Sequence, residues 1–118
     1  MQRKGAHNKL GETGEELAAE FLISKEYRIM ARNLRLKTGE IDILAQGDDS
    51  LVVVEVKTRT SSTFIDPVFA LSPAKIRKLR LLASIIAAQN PGINVRIDGI
   101  IVSYQSGKPE LTWLQNIA

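Results

Sequence analysis

The segment that most constrains the fold is LVVVEVKTR, at positions 51–59. Its run of valines is typical of a strand that is buried on both faces, because a strand with one face in water alternates apolar and polar residues instead. Both sides of this strand are therefore predicted to be covered by other elements.

Patterns on either side of this strand predict the order helix, three strands, helix and one or two strands. In the first helix, Thr13 and Glu16 have the spacing of a capping box, and an apolar stripe continues to about Lys25. Ser72 and Pro73 suit the N-cap and the first position of the second helix. The predicted strands cover residues 27–36, 40–45, 51–59, 93–104 (interrupted at Gly99) and 111–114.

The predicted fold class is α/β, with one mixed sheet and helices packed on it. The length of 118 residues favours one domain, residues 11–118, preceded by a mobile N-terminal tail of residues 1–10. Every apolar run is far shorter than the roughly 20 residues that span a bilayer, and no apolar segment follows the basic N terminus as it does in a signal peptide. We expect a soluble, cytoplasmic protein without a membrane partner.

Composition excludes several kinds of site. The chain has no cysteine and one histidine, His7, so disulfides, thiolate zinc sites, iron–sulfur clusters and a cysteine nucleophile are excluded. A Ser/His/Asp mechanism is disfavoured, because His7 is the one histidine that could serve as its base. The net charge of +3 is weak evidence for an anionic partner.

Acidic residues stand where a core does not need them. Glu55 and Lys57 are two apart on the valine-rich strand and share one face, and burying them costs desolvation unless they are paired or bind an ion. Asp42 lies between two isoleucines on the preceding strand. Only 12 residues separate Asp42 from Glu55, so a hairpin would set the two carboxylates side by side.

Two adjacent carboxylates repel each other, and a divalent cation relieves that repulsion. Oxygen ligands without histidine or cysteine favour Mg²⁺ or Mn²⁺ over zinc. Asp42, Glu55 and the backbone carbonyl of Val56 are the expected ligands, and Lys57 would orient or deprotonate an attacking water or stabilise the transition state during phosphodiester hydrolysis. The alternative is that Glu55 and Lys57 form a structural pair at a sheet edge.

The chain resembles the YraN-like family of bacterial predicted endonucleases over about residues 5 to 115. That family is similar to archaeal Holliday-junction resolvases and belongs to the PD-(D/E)XK nuclease superfamily, whose restriction-endonuclease-like core has the order αβββαβ. The motifs that carry the resemblance are Gly11-x-x-Gly14-Glu15-x-x-Ala18, Asn33-x-Arg35, Gly39-Glu40-Ile41-Asp42 and Val54-Glu55-Val56-Lys57-x-Arg59.

The resemblance implies roles for individual residues. Asp42, Glu55 and Lys57 match the catalytic triad of the superfamily. Glu15 matches an acidic residue that similar resolvases contribute to metal binding. Taken alone, Glu15 is better explained as a solvated carboxylate that the N-terminal helix dipole favours, and only the resemblance makes metal binding an equal alternative.

Basic residues are candidates for phosphate contacts. The start of the second helix carries four of them without an acid, and Lys75 and Lys78 share one face. Lys75 also resembles a lysine that recurs in the family. Asn33 and Arg35 are predicted to point to one side of their strand together with Ile29 and Ala31, and they would position phosphates or hydrogen-bond the turn at Gly39. Arg59 completes the expected nucleic-acid-binding set. The alternative for the helix is a solvated face.

Three functions remain open from the sequence. The first is a Mg²⁺-dependent endonuclease acting on DNA, with branched or structured DNA as the expected substrate and a homodimer by analogy with resolvases. The second is a catalytically silent nucleic-acid-binding module that keeps the nuclease fold. The third is an interaction protein whose charges form a buried ionic network.

Arg96 and Asp98 share a strand face and are expected to form a salt bridge or to support the site from outside.

Overall fold

The computed structural model describes residues 9–59, 72–105 and 107–118. The predicted order of αβββαβ is confirmed, and a fifth strand follows it. The predicted loop over residues 60–71 and residues 1–8 of the predicted tail lie outside the described residues. The elements are α1 (Lys9–Ser24), β1 (Arg28–Leu36), β2 (Gly39–Gly47), β3 (Ser50–Arg59), α2 (Pro73–Gln89), β4 (Asn94–Gln105) and β5 (Lys108–Leu114).

One mixed sheet contains the five strands in the order β1-β2-β3-β4-β5. β3 and β4 are parallel, and every other neighbouring pair is antiparallel. A parallel pair needs a crossover connection, and α2 supplies it. The valine-rich strand β3 is the middle strand.

The residues of β3 alternate between two apolar clusters on opposite faces of the sheet. Val52 and Val54 pack with Ala18 and Leu22 of α1. Leu51 and Val53 pack on the other face with three buried residues of α2, Leu79, Leu82 and Ile86. Burial on both faces explains why this strand is an unbroken apolar run.

The two helices begin differently. In α2, Ser72 Oγ accepts a hydrogen bond from the Lys75 backbone N–H at 3.1 Å, and Pro73 follows the cap, as predicted. In α1, the predicted capping box is wrong, because the helix begins at Lys9 and Thr13 therefore lies inside it. A spacing of three also places two residues on one face in a helix interior, which the pattern alone does not distinguish from a cap. Neither described helix is long and apolar enough to cross a membrane.

Strands β2 and β3 separate at one end. Their pairing ends at Ile43 and Val54. β2 nevertheless stays paired with β1 as far as Gly39, and β3 stays paired with β4 as far as Arg59. The sheet therefore forks, with Asp42 on one branch and Glu55 on the other.

The prediction that Ile29 and Ala31 lie on the same side of β1 is wrong. A bulge shifts the register between Ile29 and Ala31, so Ile29 packs on the α1 face and Ala31 on the α2 face. Asn33 then has a φ of +51°, a left-handed conformation that asparagine tolerates better than most residues. The interruption predicted at Gly99 is also wrong, because Gly99 pairs with both Glu55 and Leu114 within a continuous β4.

A buried polar network joins the N-terminal end of β4 to the C-terminal segment. Arg96 and Asp98 form the expected ion pair, with Arg96 Nη2 and Asp98 Oδ2 2.9 Å apart. Asp98 is completely buried and also accepts hydrogen bonds from Trp113 Nε1 and the Asn116 backbone N–H, both at 3.0 Å. Arg96 Nη2 donates to Tyr27 Oη at 2.9 Å. The network thereby links β4 and β5 to Tyr27, the residue that precedes β1.

Gly14 lets α1 approach β3 closely. A Cβ atom added at Gly14 would overlap the Thr58 side-chain hydroxyl. We expect Gly14→Ala to lower the free energy of unfolding by about 1–3 kcal/mol, the usual cost of overpacking. Urea denaturation measures this cost. Adding Thr58→Ala to Gly14→Ala should recover part of the loss, and a double variant no more stable than Gly14→Ala alone would contradict this explanation.

Candidate active site

Asp42 is held against β3 at the fork. Its Oδ2 accepts a hydrogen bond from the Val56 backbone N–H at 2.9 Å. Because the β2–β3 pairing has ended at Ile43 and Val54, a side-chain carboxylate rather than a strand carbonyl satisfies this amide. The contact anchors Asp42 beside Glu55, the residue that precedes Val56.

Asp42 lies in a negative environment. The pKa of its carboxyl is raised from 3.8 to about 6, mainly because the half-buried group is desolvated. The Val56 hydrogen bond opposes this shift by stabilising the carboxylate. The charges of Glu55 and Glu15 raise the pKa further, and Lys75 lowers it. Carboxylates from β3 and α1 therefore act on Asp42 of β2, and we call Asp42, Glu55 and Glu15 the acidic cluster.

Lys75 brings a positive charge to the acidic cluster from α2. Its Nζ lies 3.1 Å from Glu55 Oε2, and the side chains of Lys75 and Glu55 are 41% and 14% exposed. Lys75 occupies the first turn of α2, where its backbone N–H bonds the Ser72 cap. The sequence placed Lys75 among the phosphate-binding candidates and missed its contact with Glu55.

A topological signal for that contact exists in the sequence. In a strand–helix–strand crossover, the helix begins near the carboxyl end of the first strand. Here β3 ends at Arg59 and α2 begins at Pro73. The first turn of α2 therefore returns to the end of β3 that carries Glu55, and a lysine in that turn is a candidate partner for it.

Glu15 reaches the acidic cluster from the opposite helix. It is half-buried in α1, and it follows Gly14, the residue that permits close contact between α1 and Thr58 of β3. The close packing of this turn explains how a helical carboxylate influences Asp42 on β2.

Lys57 lies two residues beyond Glu55 on β3 and is exposed. It pairs through its backbone with Ile101 of β4. The positive charge that acts on Asp42 is that of Lys75. Lys57 is therefore on the same strand as the acidic cluster, with its side chain at the solvent boundary.

The remaining predicted residues lie around the fork. Asn33 lies across from Asp42, since the neighbouring pairs are Arg32 with Ile43 and Leu34 with Ile41. Arg35 is 84% exposed in its side chain and lies 3.9 Å from Glu40. Lys78 is exposed on α2, and its Cε lies over Gly39, where an added Cβ would come within 2.8 Å. Arg59 is half-buried and pairs with Ser103, and its Nε is buried without a hydrogen-bond partner among the described residues.

The donor set of the acidic cluster fits a hard cation. Its side chains offer carboxylate oxygens only, the ligands that Mg²⁺ and Mn²⁺ prefer. After desolvation, the charges of Glu55 and Glu15 also raise the pKa of Asp42, and a bound cation relieves repulsion of this kind. Within residues 9–59, 72–105 and 107–118, no three Asp, Glu, His or Cys side chains are already arranged as a chelating group. Binding of an ion by all three carboxylates would therefore require side-chain rearrangement, and Glu55 is held by Lys75 in this structure.

The raised pKa of Asp42 predicts a pH dependence of stability without metal. The folded protein takes up this proton near pH 6 and the unfolded chain near pH 4, so stability should fall by about 2 kcal/mol as the pH rises between these values. Urea denaturation in EDTA measures the change, and Asp42→Asn, which cannot titrate, provides the reference. A constant difference between wild type and Asp42→Asn from pH 4 to 7 would contradict the assignment.

Comparison with known proteins gives a family match that covers the acidic cluster. A family model described as "Uncharacterised protein family UPF0102" matches residues 14–102. A UPF0102 protein of Mycolicibacterium vanbaalenii is 39% identical over 115 residues, which cover 93% of each chain. A UPF0102 protein of Syntrophomonas wolfei is 36% identical over 112 residues, covering 93% of this chain and 97% of the relative. One from Symbiobacterium thermophilum is 49% identical over 81 residues, 69% of each chain.

Proposed function

This chain belongs to the uncharacterised protein family UPF0102, and on that premise we propose that it is a Mg²⁺-dependent endonuclease that hydrolyses DNA phosphodiester bonds. The observation that carries the proposal is the convergence of Asp42 and Glu55 at the fork between β2 and β3. The fold is compatible with a restriction-endonuclease-like core, and the resemblance to PD-(D/E)XK nucleases supports the same chemistry.

Asp42 and Glu55 are the proposed metal ligands, joined by Glu15 and the backbone carbonyl of Val56. Asp42 is suited to this role because its bond to the Val56 N–H fixes the position of its carboxylate beside Glu55. When bound, Mg²⁺ or Mn²⁺ supplies Lewis-acid polarisation of the phosphate and lowers the pKa of a water ligand. The protein contributes a rigid sheet that holds the carboxylates in place.

Lys57 is the proposed residue that acts on the attacking water or on the developing phosphate charge. Its exposed side chain is on the strand of Glu55 and open to solvent, where a DNA phosphate would arrive. A lysine donates to phosphate oxygens as a compact charge on a flexible stem. Whether it orients water or stabilises charge, its replacement should slow cleavage more than it weakens DNA binding.

The phosphates flanking the scissile bond would contact basic residues around the fork. Lys75 and Lys78 on α2 and Arg35 on β1 provide positive charge, and Lys78 and Arg35 are exposed. Asn33 and Arg59 complete the proposed set. Contacts of this kind position the backbone without reading sequence, which suits an enzyme that recognises branched or structured DNA by shape.

The direct test is incubation of the purified protein with labelled junction, flap and linear DNA, in Mg²⁺, in Mn²⁺ and in EDTA. The proposal predicts cleavage that requires the metal and salt-sensitive DNA binding. Salt-sensitive binding without cleavage in either metal would favour a catalytically silent nucleic-acid-binding module. Absence of both binding and cleavage would contradict the proposal and favour a structural ionic network.

A further inference from the structure

The contact between Lys75 and Glu55 has a consequence for how the acidic cluster works. We propose that Lys75 is an internal counter-ion that competes with the divalent cation for Glu55 and, once displaced, transfers its ammonium to a DNA phosphate. This inference rests on the proposed function and specifies how metal binding and DNA binding are coupled at the same site.

The exposures of the two side chains support an exchange of partners. Glu55 is only 14% exposed, so its carboxylate is poorly hydrated and requires a positive partner at all times. Lys75 is 41% exposed, so its ammonium can leave Glu55 without entering an apolar region. A cation that replaces Lys75 on Glu55 therefore satisfies the buried partner and releases the exposed one.

The backbone of Lys75 is fixed while its side chain is free to rotate. Its N–H is bonded to the Ser72 Oγ at 3.1 Å, and Pro73 restricts the first turn of α2. The exchange consequently needs rotations of one long side chain and no movement of the helix. The N-terminal dipole of α2 adds to the attraction for a phosphate at this position.

Competition at Glu55 gives two effects of opposite sign when the charge of Lys75 is removed. The cation gains affinity, because it no longer displaces an ammonium and is no longer repelled by it. DNA loses affinity, because one phosphate contact is missing. If Lys75 served only as a structural ion pair, or only as a phosphate contact, removing its charge would not raise the metal affinity.

The test compares Lys75→Met with wild type in two separate titrations. Mn²⁺ binding to the free protein is followed by electron paramagnetic resonance, and binding of a labelled DNA duplex is followed by fluorescence anisotropy in Ca²⁺. For Lys75→Met, we expect the Mn²⁺ affinity to rise about three- to tenfold. We expect the DNA affinity to fall about three- to tenfold, and the slope of log affinity against log salt concentration to decrease in magnitude by about one. Arg80→Met removes a positive charge from an exposed position on α2 and should leave Mn²⁺ affinity within about twofold of wild type.

The possible outcomes separate this inference from the proposed function. Unchanged or weaker Mn²⁺ binding by a folded Lys75→Met variant would overturn the inference alone, provided that wild type binds Mn²⁺. Absence of Mn²⁺ binding by wild type would overturn the proposed function as well. If Lys75→Met does not fold, Lys75→Gln is titrated in its place, and Lys75→Arg, which keeps the charge, should retain the wild-type Mn²⁺ affinity.

Discussion

Asp42→Asn is expected to lower Mg²⁺-dependent DNA cleavage by about 10³-fold or more while the protein stays folded. The loss follows because a neutral amide is a poor ligand for a hard cation, and the metal supplies several kcal/mol of transition-state stabilisation in such reactions. The fold is retained because the amide oxygen that this substitution introduces can still accept the hydrogen bond from the Val56 N–H. Single-turnover cleavage of the best DNA substrate measures the effect.

Two controls accompany this prediction. Glu40→Gln removes an acidic charge from the same strand, where Glu40 is exposed and 3.9 Å from Arg35, and it should change cleavage less than about fivefold. Thermal denaturation of Asp42→Asn at neutral pH should show a melting temperature no lower than that of wild type, since one of three repelling carboxylates is removed. Cleavage by a folded Asp42→Asn at the wild-type rate would exclude Asp42 as a metal ligand.

Asp98→Ala is expected to lower the free energy of unfolding by about 3–5 kcal/mol. Asp98 is fully buried and accepts four hydrogen bonds, two of them from Arg96 and the others from Trp113 and the Asn116 backbone. Its removal leaves the guanidinium of Arg96, a residue only 8% exposed, without its main counter-charge. The free energy of unfolding from urea denaturation measures the loss.

An exposed acid on the neighbouring strand gives the matched control for Asp98. Glu110 lies on β5 and pairs through its backbone with Ser103 of β4. Glu110→Ala should change the free energy of unfolding by less than about 0.5 kcal/mol. A cost below about 1 kcal/mol for Asp98→Ala would show that the network is not an important source of stability.

Local patterns predicted the order of the elements and the burial of β3 on both faces. The valines of β3 imply cover on both faces, and the structure provides it from α1 and α2. Ser72 and Pro73 predicted the start of α2, because the cap and the first helical residue are neighbours in the sequence. Local signals were thus sufficient to predict β3 and the start of α2 but not the start of α1, where Thr13 resembles a cap and lies inside the helix.

Features that depend on contacts between distant parts of the chain could not be predicted from the sequence. The bulge between Ile29 and Ala31 changes which face later residues of β1 occupy, and nothing in the local alternation marks it. Gly99 suggested an interruption, but pairing on both sides keeps β4 continuous. In these cases the tertiary context overrides the local preference.

The candidate site was likewise predicted only in part from the sequence. Its two principal acids were predicted to be neighbours because a hairpin joins Asp42 to Glu55, and Asp42 does bond the backbone N–H of Val56, the residue after Glu55. The hairpin alone did not predict that β2 and β3 would separate there, nor that Val56 would donate to Asp42. Lys75 reaches Glu55 across a crossover, and that contact depends on the three-dimensional path of the chain.

The metal site that we propose at Asp42 and Glu55 can be located by anomalous diffraction from a crystal containing Mn²⁺. We expect an anomalous peak about 2.1 Å from carboxylate oxygens of Asp42 and Glu55, with Lys75 withdrawn from its position 3.1 Å from Glu55. At a saturating Mn²⁺ concentration, no peak at the fork, with Glu55 still bound to Lys75, would contradict the proposed site.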